Sequence, residues 1–482
     1  MNVQPSDFSS PSAGAPCTII DKIWQRHTVR TDDTGRSLLY AARHLLYDAS
    51  FYALDMLERS GRAVRRPDLT FGTMDHFVAT QGADRQAPKD ADVAAIGRTL
   101  AEGSARYGYQ YFGIGDPRQG IVHVIAPELG LTLPGLVIVC NDSHTSTQGA
   151  LGALAFGIGA TDAYHVLASQ TLWCRKPAVM RVAIEGCRGF GVTAKDLTLA
   201  VIGKLGAGGG VGRVFEFTGP AVGALAAEER MTLCNMAVEA GGWTAIIAPD
   251  DTTSAYLKGR PYVPAGAAWE RAVEDWRTLA SDRDAPYAAE LTFDCSGVEP
   301  AVTWGTSPDD VTSVGGRVPD PNVAPDARAR QHMHEALAYM GLVPGQALEG
   351  LAVDRVFIGS CTNGRLDDLR AAAEVARRGH TRVPAIVVPG STSVQRAAEA
   401  EGLADIFRAA GFEWREPGCS MCVGQNGDLA IPGERCASTT NRNFVNRQGR
   451  GVRTHLMSPA MAAAAALAGC ITDVRKLAGG RA

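Results

Sequence analysis

Val356-Phe357-Ile358-Gly359-Ser360-Cys361-Thr362-Asn363 is a short apolar run that stops on a glycine and gives way to a helical pattern over Asp367–Arg378. Such a run, bounded by a turn and followed by a helix period, predicts a buried strand, a tight turn and a helix. Ala385–Val388 and Ser393–Ala400 repeat the pair downstream, strand then helix. Upstream, Leu136–Cys140 predicts a strand and Asp162–Leu172 a helix, and Val179–Ile184 predicts another strand. The alternation predicts an α/β protein built on parallel sheets.

The chain has 482 residues, and at ~150 residues per domain roughly three units are expected. A polar, Ser- and Pro-rich stretch, 1–16, is expected to be a disordered tail. The units are placed at 17–177, 178–290 and 291–482, the last carrying the turn quoted above. Within the first, residues 17–64 read mainly as helix, with Leu38–Leu57 at helical spacing. The polar stretch 250–292 reads as a connecting region. Ala460–Gly469 reads as a buried helix.

Composition excludes several classes. With 47 basic and 51 acidic residues the net charge is −4, so there is no basic footprint for nucleic acid or an anionic membrane. No uncharged apolar run reaches the ~18 residues of a membrane span. The N-terminus lacks the basic and apolar regions of a secretory signal, and a cytoplasmic location is expected. The 54 glycines exceed the usual ~7% share and suit many tight turns. Eleven cysteines are too few for a disulfide scaffold. Most lie in apolar segments, where a free cysteine is a small core residue.

Three cysteines differ. Cys361 sits in the turn quoted above, and Cys419 and Cys422 sit in Pro417-Gly418-Cys419-Ser420-Met421-Cys422. Small neighbours let the backbone approach a bulky ligand. The spacing alone leaves open a redox pair, a zinc half-site and an iron–sulfur cluster. Structural zinc usually takes two close pairs, whereas three thiolates suit a 4Fe-4S cluster with one iron left without a protein ligand. Asp75-His76, His123 and Asp142-Ser143-His144 stand at the ends of apolar segments, where a carboxylate can fix an imidazole's tautomer and raise its basicity. Asn235 and Glu239 are spaced to share one helix face. Asn441-Arg442-Asn443-Phe444 and Arg447 add two guanidinium groups suited to clamping carboxylates.

This ordered series resembles the aconitase superfamily and, within it, the large subunits of 3-isopropylmalate dehydratase. Further segments carry the resemblance, among them Gln119–Val124, Gly152–Gly159, Arg230–Met236, Val302–Thr306 and Gly433–Thr439. It implies three α/β/α units around one central 4Fe-4S cluster held by Cys361, Cys419 and Cys422. It implies a hydro-lyase that isomerises 2-isopropylmalate and 3-isopropylmalate by dehydration and rehydration in leucine biosynthesis. Asp75-His76, His123-Asp142 and His144-Glu239 would then be the histidine–carboxylate pairs around the reacting groups, with Ser143 in the same loop. Asn235, Asn441, Arg442 and Arg447 would bind the di- or tricarboxylate substrate or order the cluster's surroundings. Aconitases of full length carry a swivelling domain that supplies a proton-abstracting serine. It is not recognisable in this sequence, so a separate small subunit is expected as partner.

Some positions depart from the leucine-biosynthetic pattern: Phe77, Asn141, Gln148, the loop Gly390–Gln395, and Val423–Asn426 after Cys422. They leave open another substituted malate, of the 2-methylmalate/citraconate or homoaconitase kind. Two readings from other classes also stand. A cluster-free RNA-binding iron sensor is disfavoured by the charge balance, and a zinc-stabilised scaffold is decided by metal analysis.

Overall fold

The computed structural model describes residues 15–82, 85 and 90–478. The tail expected over 1–16 falls outside them except for residues 15–16. Among the described residues, no helix is long and apolar enough to cross a membrane.

The main sheets are parallel. In the first unit the spatial order is Gln110–Phe112, Thr70–Thr73, Arg43–Leu46, Val137–Cys140, Leu154–Gly157. The middle strands read as unbroken apolar or small runs because helices cover both faces; all four residues of Val137–Cys140 are buried. The chain lays down strands to one side of Arg43–Leu46 and then returns to its other side at Val137–Cys140. Ligands of open α/β sheets bind at the carboxyl ends of such a switch point. In the third unit the order is Glu413–Trp414, Ala385–Val387, Arg355–Ile358, Arg435–Ser438, Arg453–Leu456. Its switch point lies between Arg355–Ile358 and Arg435–Ser438. The second unit has a four-stranded sheet, Thr244–Ile246, Arg213–Thr218, Ala178–Glu185, Ala289–Asp294.

The segment 17–64 is not mainly helical. Only Ile19–His27 and Phe51–Arg59 form α-helix, and Thr28–Thr31, Arg36–Tyr40 and Arg43–Leu46 are strands. Arg36–Tyr40 alternates between less and more buried residues, and His44-Leu45-Leu46 is a buried central run with no period of its own. Short apolar runs of this kind cannot be told from helix by spacing. The helix expected over Asp162–Leu172 stops at Ser169, because Gln170 turns left-handed at φ 61°. Thr171–Arg175 then pairs as a strand with Arg36–Tyr40. The stretch 250–292 is more than a connector. It holds the helices Asp251–Leu257 and Ala267–Arg277, with Trp269 and Trp276 buried edge to face. The strand Ala289–Asp294 crosses the expected 290/291 boundary and belongs to the second sheet.

One buried apolar cluster runs from Ile23 and Phe156 to Phe215 and Ile246, joining the first and second units. Another fills the third unit, where the alanine-rich helix Pro459–Ala468 lies on Leu366–Ala376. The first and third units meet where Gly120 bridges Ser391. A Cβ at Gly120 would stand 2.5 Å from Ser391 Cα, so only glycine permits this contact.

Candidate active site

The two switch points deliver the polar side chains. The strand Arg43–Leu46 runs out into Asp48, Thr70–Thr73 into Asp75-His76, and Val137–Cys140 into Asp142. Asp48 is fully buried and accepts the backbone N–H groups of Asp75 (2.9 Å), His76 (2.7 Å) and Phe77 (2.6 Å). Burial, and then the neighbouring Asp75 charge, push its carboxyl up to about 7. Asp75 holds His76 Nδ1 through Oδ1 at 2.5 Å and accepts Val122 N–H through Oδ2 at 2.9 Å. Burial disfavours a charged His76, but Asp75, Asp142 and Asp48 outweigh it and push its pKa up to about 10.

Asp142 gathers three histidines. Its Oδ1 is 2.9 Å from His123 Nε2 and 3.4 Å from His144 Nδ1, and it accepts His144 N–H at 2.7 Å. Its Oδ2 is 3.8 Å from His76 Nε2. Burial alone would raise the Asp142 carboxyl, but His123 and His144 hold it well below the usual range. Gln148 donates to His123 Nδ1 at 3.3 Å and accepts from Thr132 at 2.6 Å. With Nδ1 accepting, the His123 proton sits on Nε2 and faces Asp142. Gly157 makes room for this loop, since a Cβ there would lie 2.7 Å from Asp142 O.

The second unit closes on this cluster from the other side. His144 Nε2 lies 2.9 Å from Glu239 Oε1. Arg442 Nε donates to both Glu239 oxygens at 2.9 and 3.1 Å, and its Nη2 donates to Ser143 Oγ at 3.0 Å. Burial would raise the Glu239 carboxyl, and His144 and Arg442 bring it below its ordinary value. Asn235 and Glu239 do not share one α-helical face. The helix Ala227–Asn235 ends at Asn235, and Glu239 lies in a 3-10 turn. Both nevertheless reach the site, because the tighter turn swings Glu239 toward His144.

Cys361, Cys419 and Cys422 are free thiols exposed by only 6%, 3% and 6%. Asn235 and Asn441 donate to Cys361 Sγ at 3.2 and 3.4 Å. Arg447 Nη2 is 3.7 Å from Cys422 Sγ, and His76 Nδ1 is 3.7 Å from Cys419 Sγ. Burial, then the neighbouring Cys422, push the Cys361 thiol up to about 12. Burial, then Asp75, raise the Cys419 thiol well above its ordinary value. Of the four non-glycine residues with positive φ among those described, Ser360, Ser420 and Asn446 stand beside Cys361, Cys419 and Arg447. Strain of this kind, ~1–3 kcal/mol each, persists where the surroundings impose it and clusters at ligand sites.

The sulfur spacing bears on the ligand. Among the described residues, the one trio of potential ligand atoms lying within 4.8 Å of one another is Asp75, His76 and Cys419. The three cysteine sulfurs do not form such a trio. A single tetrahedral zinc with ~2.3 Å bonds needs sulfurs only ~3.8 Å apart. Three buried thiols in small-residue turns, with amide and guanidinium donors on the sulfurs, fit a larger sulfur-ligated cluster.

Several residues here escaped the sequence reading. Asp48 was hidden by reading Leu38–Leu57 as helix, although it follows Leu45-Leu46 as Asp142 follows Val139-Cys140. Buried Arg365 donates to Thr362 O at 3.1 Å and to His123 O at 3.4 Å; its signal was its place just after Cys361-Thr362-Asn363-Gly364. Of the departing residues, Phe77 lends its N–H to Asp48 and Asn141 Oδ1 accepts from Ser50 at 3.1 Å. The loop Gly390–Gln395 is stitched to the first unit through Gly390 O, which accepts Ile121 N–H at 2.8 Å, and Ser391 Oγ, which donates to Glu128 at 2.7 Å. A cavity of about 810 Å³ opens beside Ser143 and Arg442, with Arg175, Lys176, Val238 and Trp243 in its wall.

The aconitase family (aconitate hydratase) profile matches residues 21–469. Among solved structures, the holo-form of Thermococcus kodakaraensis aconitase X matches with a TM-score of 0.46 at 14% sequence identity, covering 92% of this chain and 94% of that one.

Proposed function

The chain belongs to the aconitase family, a hydro-lyase family of the iron–sulfur type, and from that premise we propose that it isomerises a substituted malate by reversible dehydration. The reading taken is the large subunit of a cytoplasmic 3-isopropylmalate dehydratase, acting on 2- and 3-isopropylmalate in leucine biosynthesis with a separate small subunit. The observation that carries the hydro-lyase chemistry is the grouping of His76, His123 and His144 around Asp142, beside three buried cysteines.

Cys361, Cys419 and Cys422 would hold a 4Fe-4S cluster, which when bound supplies a Lewis acid for the substrate's hydroxyl and carboxylate. The chain's own groups do the rest. His76, kept cationic by Asp75, holds a proton on Nε2 for the departing hydroxyl, which leaves as water. The proton from the adjacent carbon goes to a base on the small subunit. His123 and His144 stay fixed by Asp142, Gln148 and Glu239, so their N–H groups are already oriented when charge develops. Arg447 and the Nη groups of Arg442 suit the substrate carboxylates.

The cavity beside Ser143 favours a second reading. Arg175, Lys176 and Arg442 share its wall, which suits a substituent more polar than isopropyl. To test both, the chain is purified anaerobically with its small subunit, reconstituted with iron and sulfide, and offered 3-isopropylmalate and homoisocitrate while alkene absorbance is followed. Turnover of 3-isopropylmalate that disappears in Cys422→Ser supports the first reading. Preference for homoisocitrate, whose substituent ends in a carboxylate, supports the second. A cluster-loaded complex that turns over neither substrate contradicts both.

A further inference from the structure

Lys195 is the second residue of the helix Ala194–Leu205 and is 1% exposed. Its Nζ donates to Thr439 O at 3.0 Å and Thr440 O at 2.6 Å. Both partners are neutral carbonyls, and among the described residues no carboxylate comes within ion-pair distance of it. A buried ammonium is costly unless negative charge lies close by. The groups near it that can carry such charge are Asp368, Cys422, Cys361 and Asp196. Asp368 is turned to Asn363 Nδ2 and Arg365 N–H, and Asp196 to Thr193 and Ala301 N–H. Burial outweighs these groups and pulls the lysine's pKa down to about 7.

The peptide that Lys195 grips connects to Cys361 by two routes. Thr439 Oγ1 accepts Gly359 N–H at 2.9 Å and donates to Gly359 O at 3.0 Å, two residues before Cys361. Asn441, directly after Thr440, donates to Cys361 Sγ. We propose that Lys195 is a positioning residue for the cluster. Its buried ammonium is the counter-charge for Cys361 and Cys422 once they bind iron as thiolates, and it clamps the Thr439–Asn441 turn against them. This rests on the cluster reading given above. Each thiol that becomes a ligand releases its proton and leaves a negative sulfur in a water-poor interior, where a fixed cation a short distance away offsets it. A cation so placed also favours the more negative, reduced cluster and so raises its potential.

The test compares wild type, Lys195→Met and Lys195→Arg as full chains. It reads cluster loss to a chelator, the cluster's midpoint potential, and the unfolding midpoints of the cluster-loaded and cluster-free protein. Lys195→Met should lose its cluster about 10–100-fold faster, as outer-sphere changes do, and its midpoint potential should move negative. Lys195→Arg, which keeps the charge, should restore the potential. Both forms of Lys195→Met lose the same two hydrogen bonds, so its destabilisation should be clearly larger with the cluster than without it. If Lys195→Met does not fold, Lys195→Gln, which can still donate to a carbonyl, carries the same expectations. Equal destabilisation of both forms with an unmoved potential would reduce Lys195 to a structural clamp and overturn the proposal. A wild-type chain that takes up no iron and sulfide would instead overturn the cluster reading, and this proposal with it.

Discussion

Glu239, from the second unit, lies 2.9 Å from Nε2 of His144 in the first, and the same carboxylate takes Arg442 Nε from the third. Three separate parts of the chain therefore meet on one buried carboxylate. Its charge pairs with the Arg442 guanidinium, so removing it alone leaves that cation uncompensated. Glu239→Gln should lower kcat/KM by about 100-fold or more, the scale of a lost acid–base contribution. Iron and sulfide content should stay at the wild-type level, because no cysteine contact changes. Steady-state kinetics with metal analysis on the same preparation checks this.

Asp48 ties down the turn that carries Asp75 and His76. Asp48→Ala would strand three backbone N–H groups with no acceptor, and each buried unpaired group costs about 1–3 kcal/mol. A loss of about 3 kcal/mol or more is expected in urea unfolding of the cluster-free chain. Asp48→Asn, which keeps one acceptor oxygen, should lose less.

The geometry of Asp48 also marks how far the sequence could be read. Cys361, Asp142 and Asp75 were legible because each follows a strand whose residues are apolar or small enough to be seen as one. Asp48 follows such a strand too, but Leu38–Leu57 mixes two strands and a helix within twenty residues, and the apolar spacing of the mixture imitates a helix. Gln148 stood out as an unusual residue, yet its hold on His123 Nδ1 depends on a contact across 25 positions that no local pattern encodes. Arg442 was legible as a cation, but its commitment to Glu239 was not, because it depends on the 3-10 turn after Asn235.

Gln148→Leu tests that contact. Without the Gln148 donor, His123 Nδ1 is no longer obliged to accept, and the competing tautomer turns an acceptor toward Asp142. A fall of about tenfold or more in kcat is expected, the scale seen when a partner that orients an imidazole is lost, with cluster content unchanged.

Glu128 supplies a pH dependence away from the cysteines. Burial pushes its carboxyl up to about 7, while Ser391 and Arg260 pull the other way. Because the folded pKa is above the unfolded one, the folded state binds the extra proton. This contribution is full below about pH 4.5 and is lost as pH rises through about 7. Glu128→Gln should therefore gain stability relative to wild type between pH 5 and pH 8, by about 1–3 kcal/mol. Paired urea titrations at the two pH values measure it. A constant difference between the proteins would contradict the assignment.

The central claim is that Cys361, Cys419 and Cys422 form an iron–sulfur site rather than a zinc site or a set of core thiols. Iron, acid-labile sulfide and zinc are to be measured on anaerobically purified wild type and on Cys361→Ser. Iron and sulfide in matched amounts, both lost in Cys361→Ser, are the predicted result. Zinc in place of iron with no labile sulfide, or cluster content indifferent to Cys361, would contradict it.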